Sequence, residues 1–408
     1  MKLHWQILTA LVLGVATGIL FPEISTYISW LGDIFMNALN MLVVPIIFFS
    51  IVNSLSGIAQ NRLKRIGIKT ILFYLLTMLI AALCGLLLVN LIEPGSAAQT
   101  SGLAVTVPEN LTKSGSMLDV VVNYVPRNIF YAFTQNNTIP VIIIAFLTGL
   151  ALSKISTEGQ AYLNGVVRGG LEVTIRITNV IIRCSPFGIF AIVACQFGNS
   201  ANYFSLLQTI LLYAVTVSAG LAIHFFILLP VLLRYGFNVS PARHLRNMSV
   251  PLLTAFSTAS SSATLPLTLH AVEHKDGVSP KITNFTIPLG ATINMDGTAL
   301  LECVAVIFIA QAYGIDLSVM QQALIVVTSL VCAIGSAGIP MAALVMLALL
   351  LNVAGLPPEG IGLVIGVDRL LDMMRTAVNV YGDTCVAVMV AKSEGEKLPI
   401  DISATPEK

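Results

Sequence analysis

Six polar or charged side chains near the C-terminus, Asp368, Asp372, Arg375, Thr376, Asn379 and Asp383, recur at intervals of 4, 3, 1, 3 and 4 residues within an otherwise apolar stretch. On an α-helix that spacing gathers all six into a wedge of about 100°. Leu370, Met374, Ala377, Tyr381 and Val388 fall on the opposite, mostly apolar side, and Arg369 lies just outside the wedge beside Asp368. A charge at mid-bilayer costs on the order of 2.5–3.5 kcal/mol even on a lenient insertion scale, so a cluster needs partners, water or ions. Pairing Arg375 with Asp372 and Arg369 with Asp368 would leave Asp383 over. The preceding apolar stretch adds Asp296 and Glu302, so the two segments hold five acids against two bases. The surplus calls for cations or protons, and a transported cation is the simplest answer.

The upstream stretch carries matching oxygen donors: Asn294, Asp296 and Thr298, with Glu302 one turn further on. A sodium ion takes about five or six oxygens, drawn from carboxylates, amides, hydroxyls and unwound backbone carbonyls. Gly290 and Gly297 bracket Asn294-Met295-Asp296 and let the helix open there and turn carbonyls inward.

The elements that must hold these groups are membrane helices. Of 408 residues 56% are hydrophobic and 10% charged, and mean hydropathy is +0.89, whereas a soluble surface needs roughly a quarter of its residues charged. A net charge of +1 gives no reason to expect a nucleic-acid partner. Apolar runs at 5–21, 28–56, 66–93, 119–154, 162–197, 201–234, 283–312 and 358–391 predict about eight spans at roughly 20 residues each. No small-x-small cleavage site follows the first, which is read as retained. Two further regions, 241–275 and 318–354, are interrupted by small residues and proline. Their tips, Ser260-Ser261-Ser262-Ala263-Thr264-Leu265-Pro266 and Gly335-Ser336-Ala337-Gly338-Ile339-Pro340, are each followed by a helix with Asn-x-x-Gly-(Thr/Asp) at its middle. Backbone that breaks at membrane depth survives only when buried in protein or lining a cavity, and paired broken segments point to a transporter's midplane site. The fold expected is therefore all-α and membrane-embedded, about eight spans plus two re-entrant hairpins. Lysine and arginine crowd 57–69 and 235–248 and are sparse in 94–118. Both termini, those two segments and the tail are thus predicted to be cytoplasmic, and the 94–118 loop external. The six cysteines show no paired spacing and are read as small buried side chains.

Four stretches together resemble the dicarboxylate/amino acid:cation symporter family, the glutamate transporters, and in particular its bacterial sodium/proton–glutamate type. They are Ser-Ser-Ser-Ala-Thr-Leu-Pro, Asn-Met-Asp-Gly-Thr-Ala-Leu, Ala-Gly-Ile-Pro and Asp-Arg-Leu-Leu-Asp-Met-Met-Arg-Thr-Ala-Val-Asn-Val-Tyr-Gly-Asp. The resemblance runs nearly the full length. It implies an inverted-repeat homotrimer in the bacterial inner membrane, with a fixed scaffold and a mobile transport part that imports an acidic amino acid with co-transported Na+ and H+. Divided by that likeness, 1–70 holds scaffold helices 1–2, and 71–118 the third helix and external loop. Helices 4–6 occupy 119–235, with 4–5 in the scaffold and 6 in the transport part, the first hairpin 236–278, a broken seventh helix 279–315, the second hairpin 316–356, the amphipathic eighth helix 357–392 and a cytoplasmic tail 393–408.

By motif, Arg375 resembles the residue that meets a substrate's side-chain carboxylate and Asp372 the one that holds its ammonium. Thr376 resembles a second contact to the amino group, Asn379 a contact to the α-carboxylate, and Thr298 one near the side chain. Ser260 and Ser261 match the first hairpin's serines, and Gly338 belongs to the second hairpin's tip. Gly290, Asn294, Asn379 and Asp383 look like one sodium site, and Tyr74, Thr77, Asn294 and Asp296 a second. Thr292 with Ala333, Ile334 and Ser336 looks like a third. Glu302 matches the proton carrier of animal glutamate transporters, and a carboxyl desolvated there suits that task. The chain departs from relatives at Ala259 and Met373, where arginines stand in archaeal and animal members, and at Met78, where a serine is expected.

Competing readings are weaker. An intramembrane aspartyl protease needs two aspartates on facing helices sharing a proton, and here three acids share one helix with an arginine. His4, His224, His244, His270 and His274 form no HExxH; His270 and His274 are expected at the membrane surface. A channel needs no closed amino-acid pocket. Within the same family, a neutral amino acid or a C4-dicarboxylate is the alternative substrate.

Overall fold

The computed structural model describes residues 3–58, 64–96, 128–134, 138–152, 154–198, 203–335 and 342–403. Among these the regular elements are helices, and the one β feature is an isolated bridge between Val239 and Asp401. In chain order they are α1 (Leu3–Leu20), α2 (Pro22–Ile58), α3 (Lys64–Ile92), α4 (Ile129–Thr134), α5 (Thr138–Leu152), α6 (Thr157–Arg183), α7 (Ser185–Gly198) and α8 (Tyr203–Ile223). After α8 come α9 (Pro241–Asn247), α10 (Ser249–Thr258), α11 (Ser261–His274), α12 (Pro280–Ile293), α13 (Asp296–Ala312), α14 (Val319–Gly335), α15 (Ala342–Ala354) and α16 (Ile361–Ser393). Among the described residues Arg65–Ile92, Phe204–Gly236 and Pro280–Ala312 are long and apolar enough to cross a membrane, by length and composition.

The apolar run 162–197 is two helices rather than one. The chain breaks at Cys184, one residue before Ser185-Pro186, where proline cannot donate to the preceding turn. Cys184 is exposed, contrary to the expectation of buried cysteines, while Cys303, Cys332 and Cys385 are buried. α8 continues to Gly236 through two π-helical turns, at 224–228 and 232–236. The first accommodates Pro230, which lacks the N–H an α-turn would use and whose ring would meet the carbonyl of residue 226. Leu229 N–H bonds instead to His224 O, five residues back.

The helices pack as two groups. In one, α1 and α2 lie along α7, and α2 also carries α5 and α6. Gly14 and Gly18 let α1 approach α7 so closely that a Cβ at either would meet the carbonyl oxygens of Phe190 or Ala194 at 2.9 and 2.5 Å, the small-residue packing expected where lipid supplies no hydrophobic drive. In the other, α16 runs through the centre, touching α3, α8, α10, α11, α12 and α13. Residues 366–377 are amphipathic as expected, but 361–365 and every residue from Val378 to Ala391 are buried whichever face they lie on.

α10 and α11 form the first hairpin. Its tip turns at Ala259, in the left-handed region (φ 49°), and Ser260 caps α11 by accepting from Ala263 N–H at 3.2 Å. A non-glycine residue in that region is strained. The tip 336–341 of the second hairpin, with Ser336 and Gly338, lies outside the described residues.

Residues 394–403 fold back rather than trailing away. Ser240 N–H donates to Ile400 O at 2.8 Å, Ile402 N–H to Asn238 O at 3.0 Å, and Lys392 pairs with Asp401 at 2.7 Å. Lys69 and Arg65 at the start of α3 both reach Glu394, and Leu398 and Ile400 are buried. The tail therefore straps the base of the first hairpin to the ends of α16 and α3.

Candidate functional site

The polar wedge of α16 faces the break between α12 and α13. At that break Asn294 is extended (φ −90°, ψ 99°) and Met295 is non-helical (φ −123°, ψ 58°), so α13 begins afresh at Asp296 with unpaired N–H groups. One of those groups is satisfied from α16: Gly297 N–H donates to Asn379 Oδ1 at 2.8 Å. The Asn379 amide N–H in turn reaches Met295 Sδ at 3.2 Å and Thr298 Oγ1 at 3.4 Å. Two glycines permit this approach. A Cβ on Gly297 would meet Arg375 O at 2.9 Å, and one on Gly382 would strike the Asp296 carboxylate and the Asn294 amide.

Within two of the three predicted oxygen sets, several members lie against one another, though the Asn379 side chain is engaged by Gly297, Met295 and Thr298. Asn294 Nδ2 donates to Asp383 Oδ1 at 3.1 Å, and a Cβ on Gly290 would lie 2.6 Å from the same oxygen and 2.5 Å from Tyr74 OH. Gly290, Asn294 and Asp383 thus converge, with Asn379 one turn along α16. Thr77 Oγ1 lies 3.0 Å from Asp296 Oδ1 and 3.3 Å from Asn294 Oδ1; Tyr74 OH donates to Thr286 O at 2.7 Å. Tyr74, Thr77, Asn294, Asp296 and Asp383 are all buried. Met78 is buried as well and adds no hydroxyl. The set of carboxylates, amide and hydroxyl oxygens is hard-cation chemistry. The third set is not brought together in the same way: Thr292 is exposed and donates to Leu289 O at 2.8 Å, Ala333 and Ile334 lie on α14, and Ser336 is outside the described residues.

Toward the start of α16, Arg375 is buried and donates from Nη2 to Asp372 Oδ1. Asp372 also accepts from Arg369 Nη1 at 3.3 Å. Arg369 therefore turns to Asp372 and not to Asp368, because i,i+3 neighbours share a helix face and adjacent residues do not. Nη1 of Arg375 is buried without a hydrogen-bond partner. Thr376 is buried and donates to Asp372 O at 2.7 Å. Ser260 and Ser261 are half-buried at a tip whose two arms both pack on α16. Glu302, on α13, is fully buried, and neither carboxyl oxygen has a hydrogen-bond partner. Such a group is costly as an anion and far less costly as an acid.

Sequence reasoning passed over two buried histidines. His224 Nε2 lies 3.1 Å from Asp296 Oδ2. His244 Nδ1 lies 2.7 Å from Asp276 Oδ2, and its Nε2 3.1 Å from Thr384 Oγ1, joining both ends of the first hairpin to α16. The signal for His224 was present: it is the one histidine in the apolar run 201–234, and an intramembrane ionisable residue is a functional candidate by default. His270 and His274 stack on each other at the surface of α11.

A family model described as the sodium:dicarboxylate symporter family matches residues 3–393. The chain is 34% identical to a proton/sodium-glutamate symport protein of Geobacillus stearothermophilus, over 97% of this chain and 95% of that one. It is 33% identical to the proton/glutamate-aspartate symporter of Escherichia coli strain K12, over 96% and 93%. Human excitatory amino acid transporter 3 is 32% identical, over 98% and 88%.

Proposed function

The chain belongs to the sodium:dicarboxylate symporter family, and on that footing we propose that it imports glutamate or aspartate across the bacterial inner membrane, driven by Na+ with a proton carried on Glu302. What supports the reading most directly is an adjacency on α16. Buried Arg375, paired with Asp372, stands about two to three helical turns from Asp383, which meets Asn294 at the break where Asp296 also lies. An acidic amino acid brings a side-chain carboxylate for the guanidinium and an ammonium for the aspartate, so it replaces that internal pair with two external ones. The unpartnered Nη1 of Arg375 is a further donor for a carboxylate, and guanidinium–carboxylate pairing is strong when bidentate. Thr376, Asn379, Thr298, Ser260 and Ser261 supply the remaining contacts, with Gly338 of the second hairpin's tip.

Coupling follows from charge. Sodium neutralises the acids of Asp296 and Asp383 at depth, and the α12–α13 break that binds it also positions Thr298 and the Asn379 cap. An occupied ion site therefore orders the substrate site. The two packing groups support a division into a scaffold of α1, α2, α5, α6 and α7 and a mobile part built on α16, within a homotrimer. Arg65, Lys69, Asn238, Arg243 and the tail meet at one end of the molecule, in keeping with their assignment to the cytoplasmic side.

Reconstitution in proteoliposomes tests this reading, with Na+ and pH gradients imposed separately. Accumulation of glutamate or aspartate should require inward Na+ and rise further with an inward proton gradient. Uptake indifferent to Na+ and driven by pH alone would refute the sodium sets and recast the acids as proton carriers.

A further inference from the structure

The carboxylate of Asp296 is held from two directions. Oδ1 faces Thr77 Oγ1 at 3.0 Å, beside Asn294. Oδ2 points away from that cluster, to His224 Nε2 at 3.1 Å on α8, with Gly382 of α16 pressed against it. Both His224 and Asp296 are fully buried, and His224 Nδ1 has no hydrogen-bond partner. A proton on Nδ1 would be a buried orphan donor, so the arrangement fits the tautomer with its proton on Nε2, directed at Asp296. The ring is placed by the backbone. His224 opens the π-helical turn forced by Pro230, and π-turns re-aim side chains and recur at functional sites. The next residue, Phe225, packs its ring on Tyr381 of α16 at 4.4 Å, which fixes the turn against the same helix that carries Asp383.

We propose that His224 is a positioning residue for sodium binding: its Nε2–H holds Asp296 Oδ2 so that Oδ1 stays turned toward Thr77, Asn294 and the ion. This rests on the reading of Asp296 as a sodium ligand. Hydrogen bonds to a ligating carboxylate orient it, and their loss costs about 10- to 100-fold in metal affinity. Without His224 the carboxylate is free to rotate within its pocket, and Oδ2 is left as a buried acceptor without its donor.

The test uses the full-length protein in proteoliposomes and compares His224→Leu, His224→Gln, Asp296→Asn and the double variant. Two quantities are read: the Na+ concentration for half-maximal aspartate uptake, and the aspartate concentration for half-maximal uptake at saturating Na+. His224→Leu should raise the Na+ midpoint about tenfold or more while moving the aspartate midpoint at saturating Na+ less than about twofold. His224→Gln, which restores an N–H of similar reach, should recover most of the loss. In the Asp296→Asn background His224→Leu should add nothing, because it acts through that carboxylate. Should His224→Leu fail to accumulate, His224→Asn takes its place, with an amide too short to reach Asp296. A raised Na+ midpoint in Asp296→Asn with an unchanged one in the histidine variants would overturn the positioning role alone. So would a glutamine variant no better than leucine. An unchanged Na+ midpoint in Asp296→Asn would overturn both the role and the site on which it rests.

Discussion

Asn294-Met295-Asp296-Gly297-Thr298 and Asn379-Val380-Tyr381-Gly382-Asp383 repeat one pattern on neighbouring segments, yet the first interrupts its helix and the second does not. At the interruption, Asn294 and Met295 leave helical geometry, and the freed N–H of Gly297 finds Asn379 Oδ1 on the continuous helix. The glycines mirror each other. Gly297 admits the Arg375 backbone, and Gly382 admits the Asp296 carboxylate. A buried break needs its backbone groups satisfied from outside, and the intact copy supplies the partner. The broken repeat thus contributes both main chain and side chains, and the continuous one supplies the amide that caps it.

The largest effect should come from the charges about one to two turns before the intact copy on the same helix, Arg375 and Asp372. Arg375→Cys removes the buried guanidinium and should cost about 2–5 kcal/mol in acidic amino-acid binding, roughly 30-fold or more, with neutral amino acids gaining access. Undiminished aspartate uptake would refute the substrate assignment. Asp372→Ser should penalise glutamate and aspartate more than succinate, measured as competition for labelled uptake; equal penalties would show that Asp372 does not meet an ammonium.

The paired glycines come next. Gly382→Ala thrusts a methyl at Asp296 and Asn294, and Gly297→Ala one at the Arg375 backbone. Each should cost about 1–3 kcal/mol of overpacking, read as a lower melting temperature. The two should part in function, Gly382→Ala raising the Na+ requirement and Gly297→Ala weakening aspartate binding at saturating Na+. Identical profiles would mean that the two copies do not divide the work.

Ion coupling is the third. Asp383→Asn keeps the shape beside Asn294 and removes the charge, so the Na+ midpoint should rise about tenfold while substrate selectivity at saturating Na+ holds. Glu302→Gln fills the same space but carries no proton. It should keep Na+ dependence and lose the response to an imposed pH gradient; a surviving response would place the proton elsewhere.

The smallest effect concerns the strap. The hydrogen bond from Lys69, helped by the charges of Arg65 and Lys69, holds the Glu394 carboxyl below the usual carboxylate range. A folded-state value below the unfolded one gives stability that is present above the unfolded value and lost as pH falls through the folded one. Glu394→Gln should therefore lower the melting temperature slightly at neutral pH, by about two degrees or less for a half-buried surface pair. The difference should vanish in acid. A difference that grows in acid would contradict the pairing.

Much of this was legible in the residues. Hydropathy alone required a membrane fold, because so few charges cannot solvate a surface. The spacing of Asp368 through Asp383 set one polar face, because helical geometry is periodic whatever surrounds it. The glycines bracketed the break but do not make it: Gly290 and Gly297 are helical, Asn294 and Met295 are the residues that leave helical geometry, and the glycines instead admit close neighbours. Contacts between segments distant in sequence were not legible. No local rule distinguishes the Asn-x-x-Gly that unwinds from the one that stays helical, since the choice depends on which copy has a cap waiting across the interface. The exposure of Thr292 and the folding back of 394–403 depend likewise on what packs beside them. His224 was visible as a histidine in an apolar run, but its partner, Asp296, is 72 residues away. Only the packing of α8 against α3 and α16 brings its ring to the carboxylate at the mouth of the broken helix.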